Sequence, residues 1–160
     1  MANIKLIAMD VDGTLTDGKI YIGENGETMK AFDIKDGYAI NQMFPRHGIT
    51  PIIITGRQSK IVENRAKELG VKLVFQGVRN KLLFLEKFAA ENGVTLEEIA
   101  FIGDDLNDFD CIKACGFSGC PADAVDEIKK IANYISTKPG GSGAIRDFAE
   151  HIINRPRQKK

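Results

Sequence analysis

Ile4-Lys5-Leu6-Ile7-Ala8-Met9-Asp10-Val11-Asp12-Gly13-Thr14-Leu15-Thr16 is the stretch on which the reading of this 160-residue chain turns. Its first six residues make a largely apolar run of strand length, suited to a strand buried on both faces of a parallel sheet. Two carboxylates and a glycine follow at once. They put negative charge on the rim of the sheet, where open α/β folds bind ligands. Carboxylates two apart on an extended chain point the same way, into a buried face, and are costly there unless paired or bound to metal.

Outward from that strand the pattern alternates. Lys19-Ile20-Tyr21-Ile22 and Glu27-Thr28-Met29-Lys30-Ala31-Phe32 flank Gly23-Glu24-Asn25-Gly26, which predicts a hairpin. Asp36-Gly37 opens a helix to about Arg46, closed by His47-Gly48. Thr50 to Thr55 is a buried strand, and Gly56-Arg57-Gln58-Ser59 breaks it into a helix ending near Leu69-Gly70. A strand over 71–75 precedes a helix from about Asn80 to Asn92, and Thr95-Leu96-Glu97-Glu98 has the residue types of a capping box. Ile99 to Gly103 is again a strand, ending on Asp104-Asp105 and followed by a helix to about Ala114. Short strands near 116–119 and 134–136 enclose a helix over Asp123–Ala132, and Gly140-Gly141-Ser142-Gly143 leads into a last helix ending near Ile153. Strands alternating with helices predict an α/β fold: a Rossmann-like parallel sheet with right-handed crossovers, helices on both faces and a small β-hairpin flap.

Composition limits what such a chain can be. Its length suits one domain, read here as residues 1–154 with a basic tail over 155–160. Lys+Arg and Asp+Glu both number 22, so no net field favours nucleic acid or a membrane surface. No apolar stretch approaches a membrane span and the N-terminus carries no export signal, so a cytoplasmic location is expected. Cys111, Cys115 and Cys120 match no zinc spacing and read as reduced, buried thiols. His47 and His151 sit at predicted helix ends and read as surface or capping residues.

Four strand ends carry the chemistry. The first presents Asp10 and Asp12, and the second Thr55-Gly56-Arg57. Lys81 opens the helix after the third, and the fourth presents Asp104-Asp105 with Asn107 and Asp108. Parallel strands end on one edge, so these groups converge across about a hundred residues. Clustered carboxylates repel, and a hard divalent cation relieves the repulsion; Mg²⁺ fits oxygen ligands and phosphate best. Lys81 and the Thr55 hydroxyl would stabilise the equatorial oxygens of a transferring phosphoryl group. Asp10 could accept that group, and Asp12 could protonate the leaving alcohol and then deprotonate water.

The ordered set Asp10-Val11-Asp12-Gly13-Thr14, Thr55-Gly56, Lys81 and Gly103-Asp104-Asp105 with Asp108 resembles the four motifs of the haloacid dehalogenase superfamily of phosphotransferases. The resemblance implies Asp10 as nucleophile, Asp12 as acid/base, and Mg²⁺ held by Asp10, the Asp12 carbonyl and Asp104. It also implies substrate contacts from Asp12, Thr14, Gly56 and Lys81, with Asp105, Asn107 and Asp108 in support. Most members bury the site under a cap domain, for which this chain has no room. Phe32 to Ile40, Thr55-Gly56-Arg57, Arg65 to Gly70, Gln76-Gly77 and Gly140 to Arg146 are together similar to the capless 3-deoxy-D-manno-octulosonate 8-phosphate phosphatases, over about Ile4 to Ile153.

That likeness implies a homotetramer in which the hairpins form a barrel and neighbouring subunits complete each site. Asp33, Ile34, Lys35, Asp36 and Gly37 would line the substrate pocket, Arg57 and Arg65 would meet the sugar-acid carboxylate and hydroxyls, and the Gly140–Gly143 loop with Arg146 could close over a neighbour. Asn41 stands where many members have a basic residue. A phosphatase for a nine-carbon 2-keto sugar acid 9-phosphate is the alternative, although relatives of that kind often have an acid where Arg57 stands. A phospho-accepting signalling domain and a non-catalytic scaffold are remoter readings.

Overall fold

Leu6–Met9 (β1) is buried along its whole length. In the computed structural model, which describes residues 3–155, it lies between two parallel partners, Thr50–Ile54 (β4) and Ile99–Ile102 (β6). Leu73–Phe75 (β5) extends the sheet beyond β4, while Phe117–Cys120 (β7) and Tyr134–Ile135 (β8) extend it beyond β6. The resulting order is β5-β4-β1-β6-β7-β8, parallel throughout. The chain builds outward from β1 on one side and returns to build the other. The crevice between the C-terminal ends of β1 and β6 is therefore the topological switch point.

Alternate β1 residues feed two cores. Ile7 and Met9 pack with Phe44, Ile53 and Phe148 on one face; Leu6 and Ala8 pack with Ile52, Leu85 and Phe101 on the other. Helices cover both faces, as the α/β reading requires: Ile34–Tyr38 (α1), Phe44–Arg46 (α2), Lys60–Leu69 (α3), Lys81–Glu91 (α4), Phe109–Ala114 (α5), Asp126–Lys129 (α6) and Ala144–Asn154 (α7). The predicted hairpin is Tyr21–Gly23 (β2) paired antiparallel with Gly26–Met29 (β3), outside the main sheet.

Three boundaries differ from the sequence reading. The first helix begins at Ile34 rather than Asp36, because the Asp33 side chain caps it by accepting from the Lys35 and Asp36 N–H groups at 2.7 and 3.1 Å. Its continuation is π-helical over Ala39–Met43, just before Pro45, which offers no N–H to the ladder. The helix expected over Asp123–Ala132 shrinks to α6, since Asp123 instead accepts the Gly140 N–H at 2.9 Å. The Thr95/Glu98 capping box is present, on a single 3₁₀ turn. Of the expected basic tail, residues 156–160 lie outside the described residues.

Candidate active site

The extended chain ends at Asp10. Val11 then begins a tight turn in which its carbonyl accepts from the N–H groups of Thr14, Leu15 and Thr16. Asp10 and Asp12 therefore do not lie on one continuous strand, and the two carboxylates take different partners. Asp10 Oδ1 accepts from Lys81 Nζ at 2.6 Å, and the same ammonium donates to Asp108 Oδ1 at 2.7 Å. Lys81 is the first residue of α4, set by the Asn80 side chain that caps the helix. Lysine and both carboxylates are almost wholly buried.

Asp104 joins them from the end of β6. Thr14 Oγ1 donates to its Oδ1 at 3.1 Å, and its own N–H donates to Asp108 Oδ2 at 3.0 Å. Asp10, Asp104 and Asp108 each present an oxygen within 4.8 Å of the others. Gly13 makes this approach possible: it lies at φ +92°, and a Cβ there would stand 1.9 Å from Asp104 Oδ2.

Asp10 and Asp108 share the Lys81 ammonium, and the half-buried Asp104 stands beside them. Burial, and then the charge of Asp10, push Asp104 up to about 8; the same two causes raise Asp108. Burial alone would lower Lys81, but the charges of Asp10 and Asp108 outweigh it and hold the ammonium above its ordinary value. An all-oxygen donor set with surplus negative charge fits a hard divalent ion such as Mg²⁺. The Asp12 side chain is not among the oxygens of this cluster.

Asp12 faces the hairpin. Lys30 Nζ binds Asp12 Oδ1 at 2.5 Å and Glu27 Oε2 at 3.1 Å, and Arg57 Nε lies 3.9 Å from Asp12 Oδ2. Glu27 also accepts from Arg57 Nη2 at 3.3 Å and from Ser59 Oγ at 2.8 Å. Burial raises Glu27, but the hydrogen bonds from Ser59 and Lys30 prevail and hold it below its ordinary value. The sequence reading placed Glu27 and Lys30 in the hairpin and gave neither a role at the site. The only signal was a charged pair three residues apart, Glu27 within the second strand of the hairpin and Lys30 just after it.

The other expected residues divide. Thr55 is buried at the end of β4, with Gly56 and Arg57 exposed beyond it. Asp33, Asp36, Gly37 and Arg65 line one apolar crevice with Val11 and Phe32, whereas Ile34 and Lys35 face outward. Asp36 is buried, accepting the Arg146 N–H at 2.9 Å and the Gly143 N–H at 3.4 Å. Arg65 packs its guanidinium over the Phe32 ring and pairs with Glu68. Asp105 and Asn107 are exposed beside the acidic cluster. Asn41 Nδ2 donates to the Leu69 carbonyl at 2.8 Å, at the end of α3. Gly140 and Gly141 press against the Gly13–Asp17 backbone of their own chain, and Arg146 pairs with Glu150. All three cysteines are free and buried. His47 closes α2 as a capping residue, while His151 stacks on Tyr134 at a centroid distance of 4.0 Å.

Relatives of this arrangement are known. The family of haloacid dehalogenase-like hydrolases matches residues 73–146. The chain is similar to the 3-deoxy-D-manno-octulosonate 8-phosphate phosphatase KdsC of Escherichia coli K12, at 39% identity over 94% of this chain and 80% of that protein. The Yersinia pestis counterpart is 40% identical over 95% and 81%. Among solved structures, the Moraxella catarrhalis 3-deoxy-D-manno-octulosonate 8-phosphate phosphatase in complex with magnesium ion, phosphate ion and a KDO molecule superposes with a TM-score of 0.89 at 41% identity, covering 94% of this chain and 86% of that one. The cobalt-bound Haemophilus influenzae enzyme gives 0.90 at 38% identity, covering 94% and 88%.

Proposed function

The chain belongs to the 3-deoxy-D-manno-octulosonate 8-phosphate phosphatases of the haloacid dehalogenase-like hydrolases, and from that premise we propose that it is a Mg²⁺-dependent phosphomonoesterase releasing 3-deoxy-D-manno-octulosonate and phosphate from the 8-phosphate. The observation that carries this reading is the buried Lys81 ammonium, bonded at once to Asp10 and Asp108 beside Asp104. It marks the rim of the sheet as a place prepared for a phosphoryl group and its counter-ion.

Asp10 is the nucleophile. One of its carboxylate oxygens forms a bond to phosphorus as the ester P–O bond breaks, and the departing electron pair stays on the sugar oxygen. Asp12 gives that oxygen its proton. In the second half a water loses a proton to Asp12 and attacks phosphorus, which frees phosphate and restores the Asp10 carboxylate. Lys81 and the Thr55 hydroxyl hold the equatorial oxygens, and the N–H of Gly56 lies within the same loop. Asp10, Asp104 and the Asp12 carbonyl would hold Mg²⁺, with Asp108 keeping Lys81 and Asp104 in place; the bound ion supplies positive charge against the phosphate oxygens. Arg57, half exposed at the rim, is the group suited to the sugar-acid carboxylate. Asp33, Asp36, Gly37 and Arg65 shape the neighbouring crevice.

Residues 1–154 act in this reading as one phosphatase domain working in the cytoplasm. Among the described residues no helix is long and apolar enough to cross a membrane. The hairpin leaves Ile20, Ile22 and Met29 exposed, which supports its role as the element joining copies into a homotetramer. Phosphate release from the eight-carbon 8-phosphate and from nine-carbon 2-keto sugar acid 9-phosphates, each with added Mg²⁺, tests the assignment. The expected result is a higher kcat/KM on the eight-carbon ester. About a tenfold preference for a nine-carbon ester would overturn the substrate, and no release from either would overturn the function.

A further inference from the structure

Each of the two aspartates in the Asp10-Val11-Asp12 run has its own buried ammonium. Lys81 serves Asp10, and Lys30 of the hairpin serves Asp12; both lysine side chains are only 1% exposed. Burying an ammonium is costly unless it is paired. A two-stranded hairpin outside the sheet has no packing need for such a group at its base. Lys30 is nonetheless drawn inward, onto one oxygen of Asp12 and one of Glu27.

Glu27 is in turn fixed to the loop after β4. It accepts from Ser59, the residue that precedes α3, and from Arg57. The hairpin is thereby tied at one point to the end of β1 and at another to the end of β4. One oxygen of the Asp12 carboxylate is thereby committed to Lys30.

We propose that Lys30 is a positioning residue for the reaction: through its bond to Asp12 Oδ1 it fixes the Asp12 carboxyl where the remaining oxygen can exchange a proton with the leaving group, and Glu27 holds Lys30 in that place. The inference rests on the assignment of Asp12 as the proton donor. It predicts a defect in departure of the alcohol, not in binding of phosphate or of the ion.

The experiment compares kcat/KM for an alkyl phosphate and for 4-nitrophenyl phosphate in Lys30→Met, Lys30→Arg, Glu27→Gln and the parent chain, all with Mg²⁺. kcat/KM reports only the transfer to Asp10, and nitrophenolate departs without needing a proton. Lys30→Met should lose roughly a hundredfold on the alkyl ester, the scale of a proton donor out of place, and less than about threefold on the aryl ester. Lys30→Arg should recover most of the alkyl rate, and Glu27→Gln should show the same split on a smaller scale. Inhibition by inorganic phosphate should be unchanged throughout. Equal losses on both esters, or an undiminished alkyl rate in Lys30→Met, would overturn the proposal. Should Lys30→Met fail to fold, the Glu27→Gln and Lys30→Arg ratios decide in its place. If the parent chain rejects the sugar-acid phosphate yet hydrolyses simple alkyl phosphates, the substrate assignment fails while the Lys30 comparison is still read.

Discussion

Asp10 and Asp104 are the residues at which a single atom decides the outcome. Asp10→Asn keeps the size of the side chain and its hydrogen bond to Lys81 while removing the nucleophilic charge. Turnover should fall below detection while the melting temperature stays within a few degrees of the parent; measurable Mg²⁺-dependent turnover would refute the assigned nucleophile. In the proposed reading Asp104 is a ligand of the ion. Its carboxyl is pushed up to about 8 by burial and by Asp10, so below that pH a divalent cation must displace a proton before binding. The apparent Mg²⁺ affinity should therefore weaken on going from pH 8 to pH 6, by up to about tenfold per unit for one displaced proton. Titration calorimetry reads this directly, and an affinity flat across that range would contradict it. Gly13 is as unforgiving: Gly13→Ala places a methyl group on Asp104 and strains a left-handed φ, so Mg²⁺ binding should be lost before the fold is.

At the scale of elements, Asp36 ties α1 to α7 across 110 residues. Burial, reinforced by the charge of Asp33, raises its carboxyl from 3.8 to about 6 although main-chain N–H groups bond to it. The folded state thus favours the protonated form. Its contribution to stability is whole below the unfolded value and fades as the pH rises through about 6, by about 3 kcal/mol at most. Asp36→Asn removes that titration while keeping an acceptor for Arg146. The difference in urea midpoint between variant and parent should move in the variant's favour from pH 5 to pH 7.5; an unchanged difference would show that the tie bears no such charge.

The elements also mark how far the sequence could be read. The apolar run of β1, the Asp-x-Asp-Gly-Thr motif at its end and Lys81 at a helix start were legible because each depends on a few neighbouring residues, whereas the turn after Asp10 was not. The acidic cluster was legible because parallel strands share an edge. The link from Lys30 to Asp12 was not, since it depends on how a hairpin leans against the sheet, which no local periodicity records. The shortening of α6 escaped for the same reason: Asp123 is claimed by Gly140, seventeen residues away.

Among the described residues no cap domain stands over the acidic cluster, which sits on a hairpin-bearing α/β unit. If the hairpins join copies, Ile22→Asp with Met29→Asp should shift the mass measured by light scattering from tetramer toward monomer while leaving the circular dichroism of the subunit unaltered. A tetramer that survives both changes would place the contact elsewhere. The same short ribbon that sends Lys30 inward to Asp12 turns Ile22 and Met29 outward. If Asp12 is the proton donor, whatever grips the outer side of the ribbon should also steady it through Lys30. Specific activity should accordingly drop on simple dilution, well before any subunit unravels, and return when the protein is concentrated again.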